Sequence, residues 1–290
     1  MRVWRWCLLL MWSATIALAQ ESARTNAPAN LPGGRLLDRI VVIGASASAG
    51  FTASEPLGGP GTRHYALDRY LDAALIIPHE RVRTLASTYL FLHPDADAQR
   101  QVRAAIAAEP TLVVGVDFLF WFCYGDATGD VERMEWLENG LKLLETIPCP
   151  IVIGDIPDAS GAENWMLDRN QIPRRTVLVA ANRRLREWAA TRKQVIVAPL
   201  AEFMRAAAAN QPIKIRGRAV TLDGPLLQAD HLHPTETGCS VVALAVLDAV
   251  ISSRSSVNPA GVRWDPAEIA RIVLAALPMT NRAPQSAAPR

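Results

Sequence analysis

Asp230 and His233 stand three positions apart and are followed at once by Pro234. A single turn can present a carboxylate and an imidazole at this spacing on one side, and the proline restricts how that turn moves. The carboxylate would fix the imidazole tautomer and stabilise the imidazolium that forms when the ring takes a proton from a hydroxyl. Ser46 is the candidate hydroxyl, in Gly44-Ala45-Ser46-Ala47-Ser48-Ala49-Gly50, directly after the apolar run 40–43. A serine is a weak nucleophile until a base removes its proton, so Ser46, His233 and Asp230 are expected to work as one unit. The Ser46 amide, at the start of a helix, would donate to the oxyanion that forms. Ser48 is a rival nucleophile and His231 a rival base. Taken singly, each of these residues is also compatible with an ordinary polar loop.

The elements around these residues give them a common place. Runs at 39–44, 111–116, 151–154 and 194–198 read as buried strands, apolar and rich in β-branched residues. Helical patterns over 62–74, 98–108, 131–146, 174–192, 235–252 and 266–277 separate or follow them. Continuous apolar strands alternating with helices indicate a parallel sheet covered on both faces. In such sheets, sites gather where strands end and helices begin. Ser46 follows one strand, and His233 precedes a helix.

The chain has 290 residues and a formal charge of +2, from 30 basic and 28 acidic side chains. That balance argues against nucleic acid as a partner, because such proteins usually carry a clustered basic excess. Arg174, Arg175, Arg183, Arg184, Arg186, Arg192 and Lys193 make one helix basic, which reads as a solvated face. Arg2 and Arg5, the apolar stretch 6–17 and Ala17-Leu18-Ala19 fit an export signal over residues 1–19, with a secreted or periplasmic protein expected and no stable membrane span after its removal. Residues 20–36 read as a flexible lead-in, 37–278 as one domain and 279–290 as a disordered tail. Beyond the signal, Cys123, Cys149 and Cys239 allow at most one disulfide, and their spacing resembles no zinc site. No cofactor and no metal are expected, and the oligomeric state is not specified.

The blocks Gly44-Ala45-Ser46-(x)3-Gly50, Gly115-Val116-Asp117 and Asp230-x-x-His233-Pro234 together resemble those of the SGNH/GDSL hydrolases, in an order that spans nearly all of the chain past residue 19. The resemblance implies a three-layer α/β/α sandwich with a mainly parallel, flavodoxin-like sheet. It also implies hydrolysis of carboxylic esters, of acetyl or other acyl groups on a lipid, glycan or small molecule, through an acyl-enzyme with Ser46, Asp230 and His233 as the triad.

Three positions depart from the family pattern. Ala45 stands where an aspartate is usual. The stretch Thr84-Leu85-Ala86-Ser87-Thr88 has no glycine for the oxyanion hole, which leaves the Ala86 or Ser87 amide to donate. Asp117 stands where the family has an asparagine donor, and an ionised carboxylate only accepts. Two readings of Asp117 follow: it is protonated by burial among Val114, Phe118, Phe120 and Trp121, or it points away and binds an arginine or a backbone amide. These departures also keep open a degenerate member that binds a glycan or lipid with little turnover. A metal site on Asp230, His231 and His233 is a further, weak alternative, because such close positions rarely converge without other ligands. The aromatic stretch 119–124 would line a pocket or fill the core.

Overall fold

Alternate residues of each short strand face opposite ways, and that alternation sorts the core into two layers. Ile40, Val42, Leu112, Val114, Val152 and Ile196 enter one layer, while Val41, Ile43, Val113, Ile151 and Ile153 enter the other. The computed structural model describes residues 35–55, 58–220, 222 and 224–277. The export signal, nearly all of the lead-in and the tail expected at 279–290 lie outside the described residues.

Five strands form one parallel sheet: β1 (Ile40–Val42), β2 (Arg83–Thr84), β3 (Leu112–Gly115), β4 (Ile151–Gly154) and β5 (Val195–Ala198), in the order β2-β1-β3-β4-β5. The register pairs Val41 with Arg83 and Val113, Val113 with Ile151, and Ile151 with Val195. Helices α2 (Leu67–Ala74), α6 (Leu200–Ala208), α7 (Glu236–Ser253) and α8 (Pro266–Ala276) contribute to the first layer. Helices α3 (Pro94–Ala107), α4 (Asp130–Leu144) and α5 (Arg175–Ala190) contribute to the second. The result is the expected three-layer α/β/α sandwich. Its strand order reverses direction at β1, which places a crevice at the carboxyl ends of β1 and β3. The single turn α1 (Ser46–Ala49) follows β1 there, and Asp117 follows β3.

α7 is long and apolar enough to span a membrane by length and composition, but 61% of it is buried, and it packs against α2 and α8. Core burial therefore accounts for its apolarity. The basic face of α5 is tied to α4: Arg184 pairs with Glu138 at 2.5 Å, and Arg174 and Arg192 reach Asp130 and Glu145. Cys123, Cys149 and Cys239 are all free thiols.

Some elements differ from the sequence expectation. The helix expected over 62–74 is split into a 3-10 turn, Pro60–His64, and α2. The Glu55 carboxylate explains the split, because it takes the amides of Gly61 and Thr62 and holds the first turn separately. α3 starts at Pro94 rather than near residue 98; Pro94 suits a first helical position, and Asp95 and Asp97 favour the positive helix start. β2, α6 and the hairpin of β6 (Ile213–Ile215) and β7 (Arg218–Val220) are additional.

Candidate active site

The loop after β7 folds around one carboxylate. Asp230 Oδ1 accepts from the amides of Leu232 and His233, both at 3.0 Å, and thereby closes the turn on itself. Oδ2 is left for the ring, and His233 Nδ1 lies 2.8 Å from it. The other ring nitrogen, Nε2, lies 2.8 Å from Ser46 Oγ across the crevice. The three sequence-expected residues thus form one hydrogen-bonded chain, with Asp230 and His233 buried and Ser46 half-buried. Burial raises the Asp230 carboxyl, but the His233 ring and the two amides outweigh it and hold the group below its ordinary range. A hydroxyl, an imidazole and an ionised carboxylate in this order can move a proton from Ser46 to His233.

His231 is not part of this chain. It adopts a positive φ of 58°, and its ring meets Trp165 edge-on at 5.8 Å. Ser48 is likewise turned away from His233. Its hydroxyl donates to Asp117 Oδ1 at 2.6 Å and its amide to Oδ2 at 3.0 Å.

Three residues that were not singled out in the sequence complete the support. Phe51 stacks on the His233 ring, with centroids 3.9 Å apart and planes 17° from parallel. Gln228 Nε2 donates to the carbonyls of Phe51 and Pro234, at 2.7 and 2.9 Å, and so fastens the His233 loop to the Ser46 segment. Gln101, on α3, does the same for Gly44, two residues before the Ser46 turn. Its side chain bonds both the amide and the carbonyl of Gly44, at 2.7 and 3.0 Å.

Asp117 faces Ser48 with both oxygens, in the geometry of an acid that points away and binds a backbone amide. It is buried, and desolvation pushes its pKa up despite the bonds from Ser48. An acid with a raised folded pKa holds its proton better in the folded chain, so that stabilisation is lost as pH rises from the unfolded value through the folded one. Asn cannot titrate and can still bond both groups of Ser48. Asp117→Asn should therefore gain Tm relative to the parent as pH rises from the ordinary carboxylate range; paired thermal melts across pH check it, and a pH-independent difference would refute it.

The amides expected to form the rest of an oxyanion hole are engaged elsewhere. The Ser87 amide donates to the Gly44 carbonyl at 3.0 Å, and the Ala86 amide to Thr84 Oγ1 at 3.3 Å. An oxyanion at either amide would have to share or replace that bond. The Ser46 and Ala47 amides lie in the first turn of α1, where no partner exists within the helix.

A cavity of about 600 Å³, counted with its open mouth, adjoins Ser46 and His233. Its wall is largely apolar, with Leu67, Val116, Phe120, Phe203 and Val242 among the lining residues. Of the aromatic stretch, Phe120 lines this cavity, Phe122 and Tyr124 are core, and Trp121 sits half-exposed against Phe91. Pro157, after β4, also borders the cavity. Among the described residues, no three His, Cys, Asp or Glu side chains gather as a metal site would require.

No protein-family model matches the chain, and no curated protein matches it. Solved structures do. They include a lipase/acylhydrolase from Enterococcus faecalis, 19% identical with a TM-score of 0.48, covering 75% of this chain and 96% of that one. A catalytic mutant of an acetylxylan esterase from Geobacillus stearothermophilus is 16% identical with a TM-score of 0.45, covering 79% and 98%. A lipolytic protein of the G-D-S-L family from Desulfitobacterium hafniense is 15% identical with a TM-score of 0.37, covering 71% and 96%. These neighbours are esterases and acylhydrolases by description.

Proposed function

We propose that this chain is an SGNH/GDSL-type serine esterase that hydrolyses carboxylic esters through an acyl-enzyme. The observation that carries the proposal is the continuous chain Ser46–His233–Asp230, with both links at 2.8 Å. Ser46 Oγ attacks the ester carbonyl carbon as His233 Nε2 takes its proton, and the carbonyl oxygen becomes the oxyanion. The Ser46 amide, in the first turn of α1, receives that charge. Collapse breaks the C–O bond to the alcohol, which leaves with the proton from His233. Water then attacks the acyl-serine with His233 again as base, and the carboxylic acid departs as Ser46 regains its proton. Asp230 stays ionised throughout and stabilises the imidazolium.

Incubation with a chromogenic butyrate ester and a fluorophosphonate probe tests the proposal. Turnover and labelling should both vanish in Ser46→Ala and be insensitive to a chelator. Retained turnover in that variant would remove Ser46 as the nucleophile, and chelator sensitivity would point to a metal. Asp117→Asn should preserve or raise turnover; complete loss in a folded variant would give the carboxylate a positive role. The engaged amides of Ala86 and Ser87 favour a second reading, a glycan- or lipid-binding protein with little turnover, and absence of both turnover and labelling would support it. We also propose export by the segment 1–19. Amino-terminal sequencing of the protein from its producing cells should start at Gln20, and an intact Met1 would exclude the cleavage.

A further inference from the structure

We infer that the site selects esters of short, unbranched acyl groups, with butyryl the best fit, and that Phe203 sets this limit. The inference rests on Ser46 acting as the nucleophile proposed above. Most of the 600 Å³ beside Ser46 is open mouth, and the room inside is about 40 Å³. A water needs roughly 10–15 Å³ on that measure, so the space takes about three groups the size of a water or a methylene. A butyryl group carries that many carbons beyond its carbonyl.

The inner end is closed. Val116, Leu200, Phe203 and Val242 stand between this space and a second one of about 10 Å³, which has room for about one such group. Val116 follows β3, Leu200 and Phe203 belong to α6, and Val242 belongs to α7. The wall is held from behind. A Cβ on Gly154 of β4 would lie 2.1 Å from the Val116 carbonyl oxygen and 3.1 Å from Leu200 Cβ, so the sheet backbone is already packed against both. Asp155 Oδ1 accepts the Ala201 amide at 2.7 Å and fixes the start of α6. An interior packed this closely does not yield to a longer chain without moving backbone. Phe203 is the largest side chain of the four, and it is buried.

The acyl group is the part of the ester that belongs in this space. It stays on Ser46 Oγ through both steps. The alcohol takes its proton at His233 Nε2 and must leave before water can attack from there, so it lies toward the mouth. The polar side chains of the lining offer an acyl chain no partner. Asp117 has both oxygens on Ser48, His233 is bonded at both ring nitrogens, and Cys239 Sγ donates to the Tyr65 carbonyl at 3.1 Å. A hydroxylated or charged acyl group would lose its water there without recompense. Each methylene that fits should raise kcat/KM about fourfold.

The test uses the full chain and p-nitrophenyl esters from acetyl to octanoyl. kcat/KM should rise about fifteenfold from acetyl to butyryl and fall at least tenfold from butyryl to octanoyl. Phe203→Ala, which joins the two spaces, should raise the hexanoyl-to-butyryl ratio at least tenfold. Val242→Ala removes less and should raise it about threefold, which serves if the first variant does not fold. An octanoyl ester turned over by the unaltered protein as well as the butyryl ester, or an unchanged ratio in a folded variant, would overturn the inference. So would butyrate esters of methyl to hexyl alcohols whose rates vary as much as those of the acyl series. Fluorophosphonate labelling at Ser46 without a butyryl optimum would sink this inference alone; absence of labelling would remove the proposed function with it.

Discussion

Asp230→Asn should lower kcat by roughly three to four orders of magnitude with little change in KM. The carboxylate has two tasks, divided between its oxygens: Oδ1 holds the amides of Leu232 and His233, and Oδ2 holds the His233 ring. Asparagine has one carbonyl oxygen for both. If it keeps the two amides, its NH2 faces Nδ1, the ring must accept there, and its proton moves to Nε2, facing Ser46. A ring protonated on Nε2 cannot take the serine proton. If the amide flips instead, the loop loses both backbone bonds and His233 loses its place. The folded Asp230 carboxyl is held below its ordinary range, so its support of the loop is fully present above that range and is lost only as pH falls through the folded pKa. At neutral pH the deficit of the variant is therefore in tautomer and geometry. Steady-state kinetics on an ester, with a thermal melt to establish folding, checks the result; more than a tenth of the original kcat in a folded variant would contradict the role assigned to Asp230.

The residues that carry the proposed chemistry were legible because their types are scarce and their order is informative. A carboxylate and an imidazole three positions apart admit few geometries, and the turn closed by Asp230 Oδ1 is the one that spacing allows. Four of the five strands were equally readable as apolar runs rich in β-branched residues; β2, two exposed residues at the sheet edge, carries no such run and was not foreseen. What escaped depends on contacts between distant segments. Phe51 and Gln228 have no unusual chemistry, and their value lies in a ring 3.9 Å from His233 and an amide 2.7 Å from the Phe51 carbonyl. Sequence could not show that the Ala86 and Ser87 amides already have partners, in Thr84 Oγ1 and the Gly44 carbonyl. Asp117 was ambiguous until its partner was known, and Ser48, first weighed as a rival nucleophile, is that partner. The hairpin of β6 and β7 turns on Arg216 and Gly217, both at positive φ, a pattern that Arg-Gly announces less plainly than Asn-Gly.

Gly50→Ala should destabilise the fold by about 3 kcal/mol, the range reached by backbone strain combined with a core clash. Gly50 sits at φ +86°, and a Cβ there would lie 2.2 Å from the Thr62 carbonyl oxygen and 2.8 Å from the Ala66 amide nitrogen. Those are backbone atoms of the 3-10 turn and of the residue just before α2, and that turn is itself held by Glu55. Nothing flexible can yield, so an added methyl must push this segment and α1 apart. Phe51 follows immediately, and moving it removes the stack on His233 and strains the bond from Gln228. Tm should fall by about 6–12 °C, taking 2–4 °C per kcal/mol for a domain of this size, and kcat at least tenfold. Gly58 separates the two contributions, because its φ of +88° is nearly the same while a Cβ there meets nothing closer than 3.8 Å. Gly58→Ala should therefore cost only the conformational share, about 1 kcal/mol, and spare the site. Equal losses in the two variants would mean that φ alone decides, and that the close approach of residues 62–66 does not hold Phe51 against His233.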